Sequence, residues 1–386
     1  MINKDMPLNL NKHLSLLRLV LFSVALVILS GCGPLLQEKK PRFFWPPPPS
    51  EAKIEYINFY FSDEDLQRSV DRRLEDAILG RKLPERLIVQ PYSVASDGNG
   101  RFFATDFVGG IIHVFDIANH KYRQLAVAVG GPQKILVDSL GEIWILNSDK
   151  GILLRFSADE SPLPVVKLPG IGRASSFAVD RQRGRIYVSD APQHQIRLYD
   201  LSGRFLETIG IRGHALGEFN YPGDLDLDAD GNLYIVDAMN ARIQVLAPDG
   251  TPLRAFGERG TARGSFSVPK GIAVSPSGLV YVSDASQHKI VIFSKEGEHL
   301  LTIGARYVYK GEGISPGGFN FPAGLDVDAN DTLWIADLMN GMVHEFQYLT
   351  PEFLAKKPIR EDDIYRPKAT DFADRDDEAL LPAPIE

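Results

Sequence analysis

Charged residues in this chain stand at spacings that suit several kinds of chemistry. Asp226-x-Asp228-x-Asp230-Gly231, with Asp237 in twelfth place, has the spacing of an oxygen-donor calcium loop, and Asp326-x-Asp328-x-Asn330 echoes it. His194 and His288 each follow an aspartate by four residues, and paired imidazoles are the raw material of a zinc site. Lys134, Asp224, Asp226 and Asp326 form a third set, because a cation among carboxylates makes either a structural ion cluster or a polar binding site. Arg212, Arg259, Arg263 and Lys310, with His214 and Arg306, lie in glycine-rich stretches that suit an anionic ligand or a peptide. There is no G-x-S-x-G elbow, no phosphate loop and no nucleophile beside a base, so no catalytic residue is assigned.

The elements that position these residues are repeats. The word Gly231 to Asp237 (GNLYIVD) returns as Gly278 to Asp284 and Gly184 to Asp190. Looser copies end at Asp106, Asn147 and Asp337. Three residues before each closing residue stands an aromatic: Phe103, Trp144, Tyr187, Tyr234, Tyr281 or Trp334. A proline precedes the closing residue by fifteen in five copies (Pro91, Pro132, Pro222, Pro269, Pro322), with Ala174 in the remaining one. Two alternating apolar residues, a turn, the aromatic strand, a third strand and a glycine turn make each copy four short antiparallel strands. Six such units predict an all-β chain folded as a six-bladed β-propeller.

These copies resemble the NHL-repeat family, most closely from Gly231 to Val245 and at Gly217-Glu218-Phe219 with Pro222. The resemblance covers about residues 88–347, and the first two copies lack the G-x-F-x-x-P loop. It implies that the loops after the closing Asp and the G-x-F-x-x-P loops share one face, around the mouth of a central channel. His194, His288, Arg212, Arg259, Arg263 and Lys310 would then belong to that face. Lyases of related propellers use several inward histidines. Here the counterparts of His194 and His288 are Gly110, Gly151, Ala241 and Gly341, none a ligand, so zinc is not expected. Calcium is not expected either, since the repeat register puts Asp228 in a hairpin turn and Asp237 at the far end of the next strand. A closing Asp in nearly every copy reads as a cap of its own turn. The innermost strand mostly carries small residues at its non-core positions, such as Ser93, Ala95, Gly271 and Ala273. Lys134, Asp224, Asp226 and Asp326 break that rule, and they are expected to meet in the channel.

The ends carry different signals. Lys4, Lys12 and Arg18 precede an apolar run from Leu19 to Leu29 that is short for a membrane span, and Leu29-Ser30-Gly31-Cys32 resembles a bacterial lipobox. Residues 1–31 are therefore expected to be a lipoprotein signal peptide and Cys32, the single cysteine, the site of acylation. Removing 1–31 takes away a net +2 (three cations, Asp5) from −8, leaving −10, which argues against nucleic acid as a partner. Gly33 after the cysteine favours the outer membrane in a cell that has two. Residues 32–52 read as anchor and proline-rich linker, with Phe43, Phe44 and Trp45 either part of the spacer or docked on the ring. The propeller itself is assigned to 53–350. Residues 53–61 read as a strand that supplies the outermost strand missing from the last copy and so closes the ring. Ser62 to Asp65 reads as a capping box opening a short helix over 62–80, and 351–386 as an acidic, disordered tail. The expectation is a lipid-anchored extracytoplasmic scaffold or binding module for an envelope protein, peptide or small ligand. The alternative is a propeller-type lyase or lactonase with its site at the channel mouth.

Overall fold

The structure is a computed structural model that describes residues 42–47, 49–67, 85–125, 132–310, 314–360 and 364. Six sheets of antiparallel strands succeed one another along the chain, and a short parallel pair lies in one connecting loop. Blade 4 shows the pattern: Pro222–Leu227 is innermost, followed outward by Leu233–Asp237, Arg242–Leu246 and Pro252–Phe256. Its second strand is buried at every residue because sheets pack on both of its faces, whereas the outer strand is half exposed. An uninterrupted apolar word in the second strand is what such a position demands.

The recurring aromatic is the layer between blades. Tyr187 packs against Leu225 and Leu233 of the next blade, Tyr234 against Ile272 and Val280, and Tyr281 against Leu325 and Leu333. Trp334 meets Phe102, Phe103 meets Ile135 and Ile143, and Trp144 meets Phe177 and Ile186, which completes the ring. The phenol ends differ. Tyr187 donates to the Pro248 carbonyl at 3.1 Å, while the hydroxyl of the fully buried Tyr281 has no hydrogen-bond partner among the described residues. Burial pushes the Tyr281 phenol far above its ordinary pKa. An unpaired buried hydroxyl costs stability, so Tyr281→Phe is expected to leave stability unchanged or raise it by about 1 kcal/mol. Tyr187→Phe should lower it by about 1 kcal/mol. Urea melts of the two variants check the contrast.

Closure follows the expected route and goes one strand further. Ile54–Tyr60 pairs antiparallel with Met342–Tyr348 of blade 6, in the register Ile54↔Tyr348 and Tyr60↔Val343. Phe43–Trp45 then adds outside it as a fifth strand, with Phe43 opposite Tyr56. The aromatic triplet of the linker is therefore docked: Phe44 is buried, and the Trp45 ring lies edge-on to Phe346 at 5.8 Å. The Arg42 guanidinium holds both oxygens of the buried Glu55 at 2.7 and 2.8 Å.

The capping box at Ser62 forms and opens a single 3-10 turn, Asp63–Leu66. The rest of the expected helix, with Val70, Leu74, Ile78 and Gly80, lies outside the described residues, as do residues 1–41 with Cys32 and residues 365–386. The stretch expected to be disordered begins instead with a helix, Pro351–Lys356. Thr350 caps it by accepting the Phe353 N–H at 3.1 Å, and proline sits in its first turn, where its missing N–H costs nothing. Six residues are too few to display an apolar period, so a search for periodicity passes over this helix. No helix among the described residues is long and apolar enough to cross a membrane.

Candidate functional site

The closing carboxylates are occupied by the scaffold, in a different way from the turn caps expected of them. Asp106 accepts the N–H groups of Val89 (2.7 Å) and Gln90 (3.2 Å), and Asp190 accepts those of Gly172 and Arg173. Asp237 accepts Asn220 N–H at 2.7 Å, Asp284 accepts Ser267 and Val268, and Asp337 accepts Asn320. Each therefore staples the loop that enters the innermost strand to the end of the second strand. Asp106 and Asp284 cap their own turn as well, through Val108, Ser286 and Gln287. The capping role expected of the closing residues belongs chiefly to the aspartates of the opposite turns. Asp228, for example, accepts the N–H groups of Asp230 and Asn232. Because Asp237 pairs with Pro222 at the other end of the strand, Asp228 and Asp237 do not converge on one ion.

His194 and His288 are equivalent clamps. Both residues take left-handed backbone (φ 57° and 55°), and their Nδ1 atoms accept the N–H groups of Tyr221 and Phe321 in the next blade, each at 3.1 Å. An accepting Nδ1 requires a neutral ring with its proton on Nε2. Burial, helped by Arg306, holds His288 below its ordinary pKa and favours that state. Among the described residues no group of three or more His, Cys, Asp or Glu side chains is placed to hold a metal ion.

Of the four residues that break the small-residue rule, Lys134 and Asp224 are in contact, and Asp226 and Asp326 act on Lys134 electrostatically. Lys134 of blade 2 reaches across to blade 4 and contacts both oxygens of Asp224, at 2.9 and 3.1 Å. Asp224 also accepts from Ser176 of blade 3 (2.5 Å) and from Ile272 N–H of blade 5 (3.1 Å), so one carboxylate ties four blades. Asp226 accepts Val274 N–H at 2.7 Å, and Asp326 accepts Ser96 N–H at 2.6 Å, each from the following blade. Burial pushes Asp226 up to about 6 against the pull of Lys134. It pushes Asp326 up to about 7, with Asp226 and Asp328 adding like charge. Lys134 is held above its ordinary value because Asp224 and Asp226 together outweigh its burial.

On the face of the closing aspartates the G-x-F-x-x-P loops carry cations that have no ion-pair partner among the described residues. Phe219, Phe266 and Phe319 of the G-x-F-x-x-P loops are fully buried anchors. Short parallel bridges set Arg212 against Phe219, Arg259 against Phe266 and Arg306 against Phe319. Arg212, Arg259, Arg263, Arg306 and Lys310 are exposed, and none forms an ion pair with another described residue. Arg259 binds only carbonyls, those of Ser267 and Met239. On the opposite turns the arginines are matched: Arg101 with Asp97 and Glu160, Arg181 with Asp138 and Glu142, Arg183 with Asp180, Arg204 with Asp200. The cations of the G-x-F-x-x-P loops are thus unmatched among the described residues, whereas these four arginines are matched.

Two mouth residues escape a motif search. Lys270 and Tyr92 occupy the position after the repeat proline in blades 5 and 1. The Lys270 ammonium lies 4.5 Å above the Tyr92 ring and 3.3 Å from its hydroxyl, without a carboxylate partner among the described residues. Tyr221 and Phe321, immediately before the proline, are 45% and 37% exposed with φ of 55° and 69°. Met239 and Met339 on the neighbouring loops are more exposed still. The signal was present: large or charged residues flanking the repeat proline.

Comparison with known proteins agrees with this architecture. Residues 266–293 match the NHL repeat, and residues 173–246 match a family described as a 6-bladed beta-propeller. The chain is a six-bladed propeller that carries an NHL repeat at residues 266–293. Among solved structures, the propeller is similar to a Bacteroides thetaiotaomicron protein of unknown function (TM-score 0.60, 15% identity, covering 76% of this chain and 75% of that one). It is similar to an auxiliary nutrient binding protein from the same organism (TM-score 0.54, 14% identity, 68% and 69% covered). A streptogramin B lyase also superimposes (TM-score 0.52, 15% identity, 78% and 100% covered). At these identities the similarity concerns the fold of the propeller. No curated protein sequence matches the chain.

Proposed function

We propose that this chain is a lipid-anchored, extracytoplasmic binding module that takes an anionic peptide or small ligand at the basic mouth of its channel. The observation that carries the reading is a set of cations on one face, Lys270, Arg212, Arg259, Arg263, Arg306 and Lys310, that form no ion pair with another described residue, on the same face as exposed Tyr221, Phe321, Met239 and Met339. Unmatched charge around an apolar patch draws an oppositely charged ligand and leaves side chains on which it can rest. The nutrient-binding proteins that share the fold are compatible with a binding role. Anchoring rests on the lipobox-like sequence at Cys32. Cys32→Ser should move the protein from the membrane to the soluble fraction.

The test is fluorescence anisotropy with an oligoglutamate peptide and a neutral oligoglutamine control. The glutamate peptide should bind in low salt and weaken steeply as salt is raised, since exposed charges are screened beyond about 8 Å at physiological ionic strength. Replacing Arg259, Lys270 and Arg306 together by Ala, Met and Ala should reduce affinity about tenfold or more, or about 1.4 kcal/mol. Equal binding of both peptides, insensitive to salt, would refute the reading. Stoichiometric zinc or calcium, lost together with a hydrolase or lyase activity, would replace it with an enzyme.

A further inference from the structure

The chain contains a segment of the chemistry its mouth lacks. Residues 371–386 hold Asp371, Asp374, Asp376, Asp377, Glu378 and Glu386 against Arg375, a net −5. Before Glu386 they carry the apolar residues Leu380, Leu381 and Ile385, spaced by Pro382 and Pro384. Resting on the binding function proposed above, we infer that residues 371–386 occupy the basic mouth as an internal competitor. Their carboxylates would sit on Lys270, Arg259 and Arg306, and Leu380, Leu381 and Ile385 against Tyr221, Phe321, Met239 or Met339.

The tail leaves from the outer edge of blade 6. Ile364 bridges Arg42 beside the outermost strand of blade 6, and Pro358 and Lys357 are held there by Arg42 and Glu55. Blade 6 also brings Phe321 and Met339 to the mouth. Five strands at about 4.8 Å spacing put the channel roughly 20 Å from that outer edge. Ile364 runs parallel to Arg42, toward the face opposite the mouth, but residues 365–378 span at most about 3.3–3.6 Å each, roughly 46 Å, enough for the acidic run to turn back and reach the cations. Tethering does the rest. At an effective concentration of about 1 mM, a segment with an intrinsic Kd of about 100 μM is docked roughly nine-tenths of the time and weakens a free ligand about tenfold.

The experiment compares the full chain with a full chain neutralised in the tail (Asp374→Asn, Asp376→Asn, Asp377→Asn, Glu378→Gln). The probe is a labelled synthetic peptide of residues 371–386 with its acidic residues intact. The neutralised chain should bind the probe about tenfold more tightly than the native chain in low salt. The gap should vanish when Arg259, Lys270 and Arg306 are replaced as above. Equal affinity of native and neutralised chains would overturn the inference while leaving the mouth as a ligand site. Failure of the probe to bind the neutralised chain would also overturn it, and the oligoglutamate result then decides separately whether the mouth binds anions at all.

Discussion

Deleting residues 42–61 is expected to abolish the cooperative thermal transition of the ring or to lower its midpoint by more than 15 °C, on the order of what several kcal/mol does to a domain. The segment contributes Ile54, Tyr56, Phe59, Tyr60 and Phe61, each buried to within 2%. At about 1.5–3 kcal/mol per large apolar side chain, the loss is of the order of 10 kcal/mol, comparable with the whole stability of a domain. The hydrogen bonds to Met342–Tyr348 go too, leaving that strand as an open edge between the last blade and the first. Calorimetry is the measurement, with a synthetic peptide of residues 42–61 added back as a control. Restoration of the transition by the peptide would show that the defect is the missing strand. A deleted chain that melts within a few degrees of the parent would refute the closure argument.

Lys134→Met should be the most damaging single substitution in the channel. Methionine is close to lysine in size, so little volume is lost, but Asp224 is left buried with no cation. Breaking a buried pair in this way costs about 3–5 kcal/mol. The cost should depend on pH. Asp226 at about 6 and Asp326 at about 7 lie above the ordinary 3.8, so the native ring holds protons that the unfolded chain has already released. The stability these groups contribute is complete below about pH 4 and is lost as pH rises through 6 and 7. Without Lys134 the carboxylates depend on protons alone, so urea melts should show a large loss at pH 8 and a smaller one at pH 5. Asp326→Asn, which keeps an oxygen for the Ser96 N–H, should flatten the decline of the parent protein over the same range. An equal cost of Lys134→Met at both pH values would mean that packing, and not charge, explains it.

Much of this was legible because repetition averages out local ambiguity. One Tyr-Ile-Val-Asp could be strand or site, but six aromatic words at comparable intervals can only be a layer, and the packing of Tyr187, Tyr234 and Tyr281 on successive blades bears this out. The exceptions to the repeat were also legible: Lys134, Asp224, Asp226 and Asp326 were expected to meet, and Lys134 lies 2.9 Å from Asp224. Partners were harder. Asp190 and Asp237 bind N–H groups seventeen or eighteen residues upstream, a pairing set by loop geometry and not by the nearest turn. His194 and His288 carry no mark in the sequence of what their Nδ1 atoms accept.

The sequence by itself determined the number of blades and the strand that closes them. Each of these follows from side-chain period and from departures from it, which are properties of order along the chain. Only the tertiary structure decided which charges are satisfied. Arg181 and Arg259 are indistinguishable as letters, yet one faces Asp138 and Glu142 and the other meets only carbonyls. Pairing across blades depends on distances between residues tens of positions apart, and those exist only once the ring has closed.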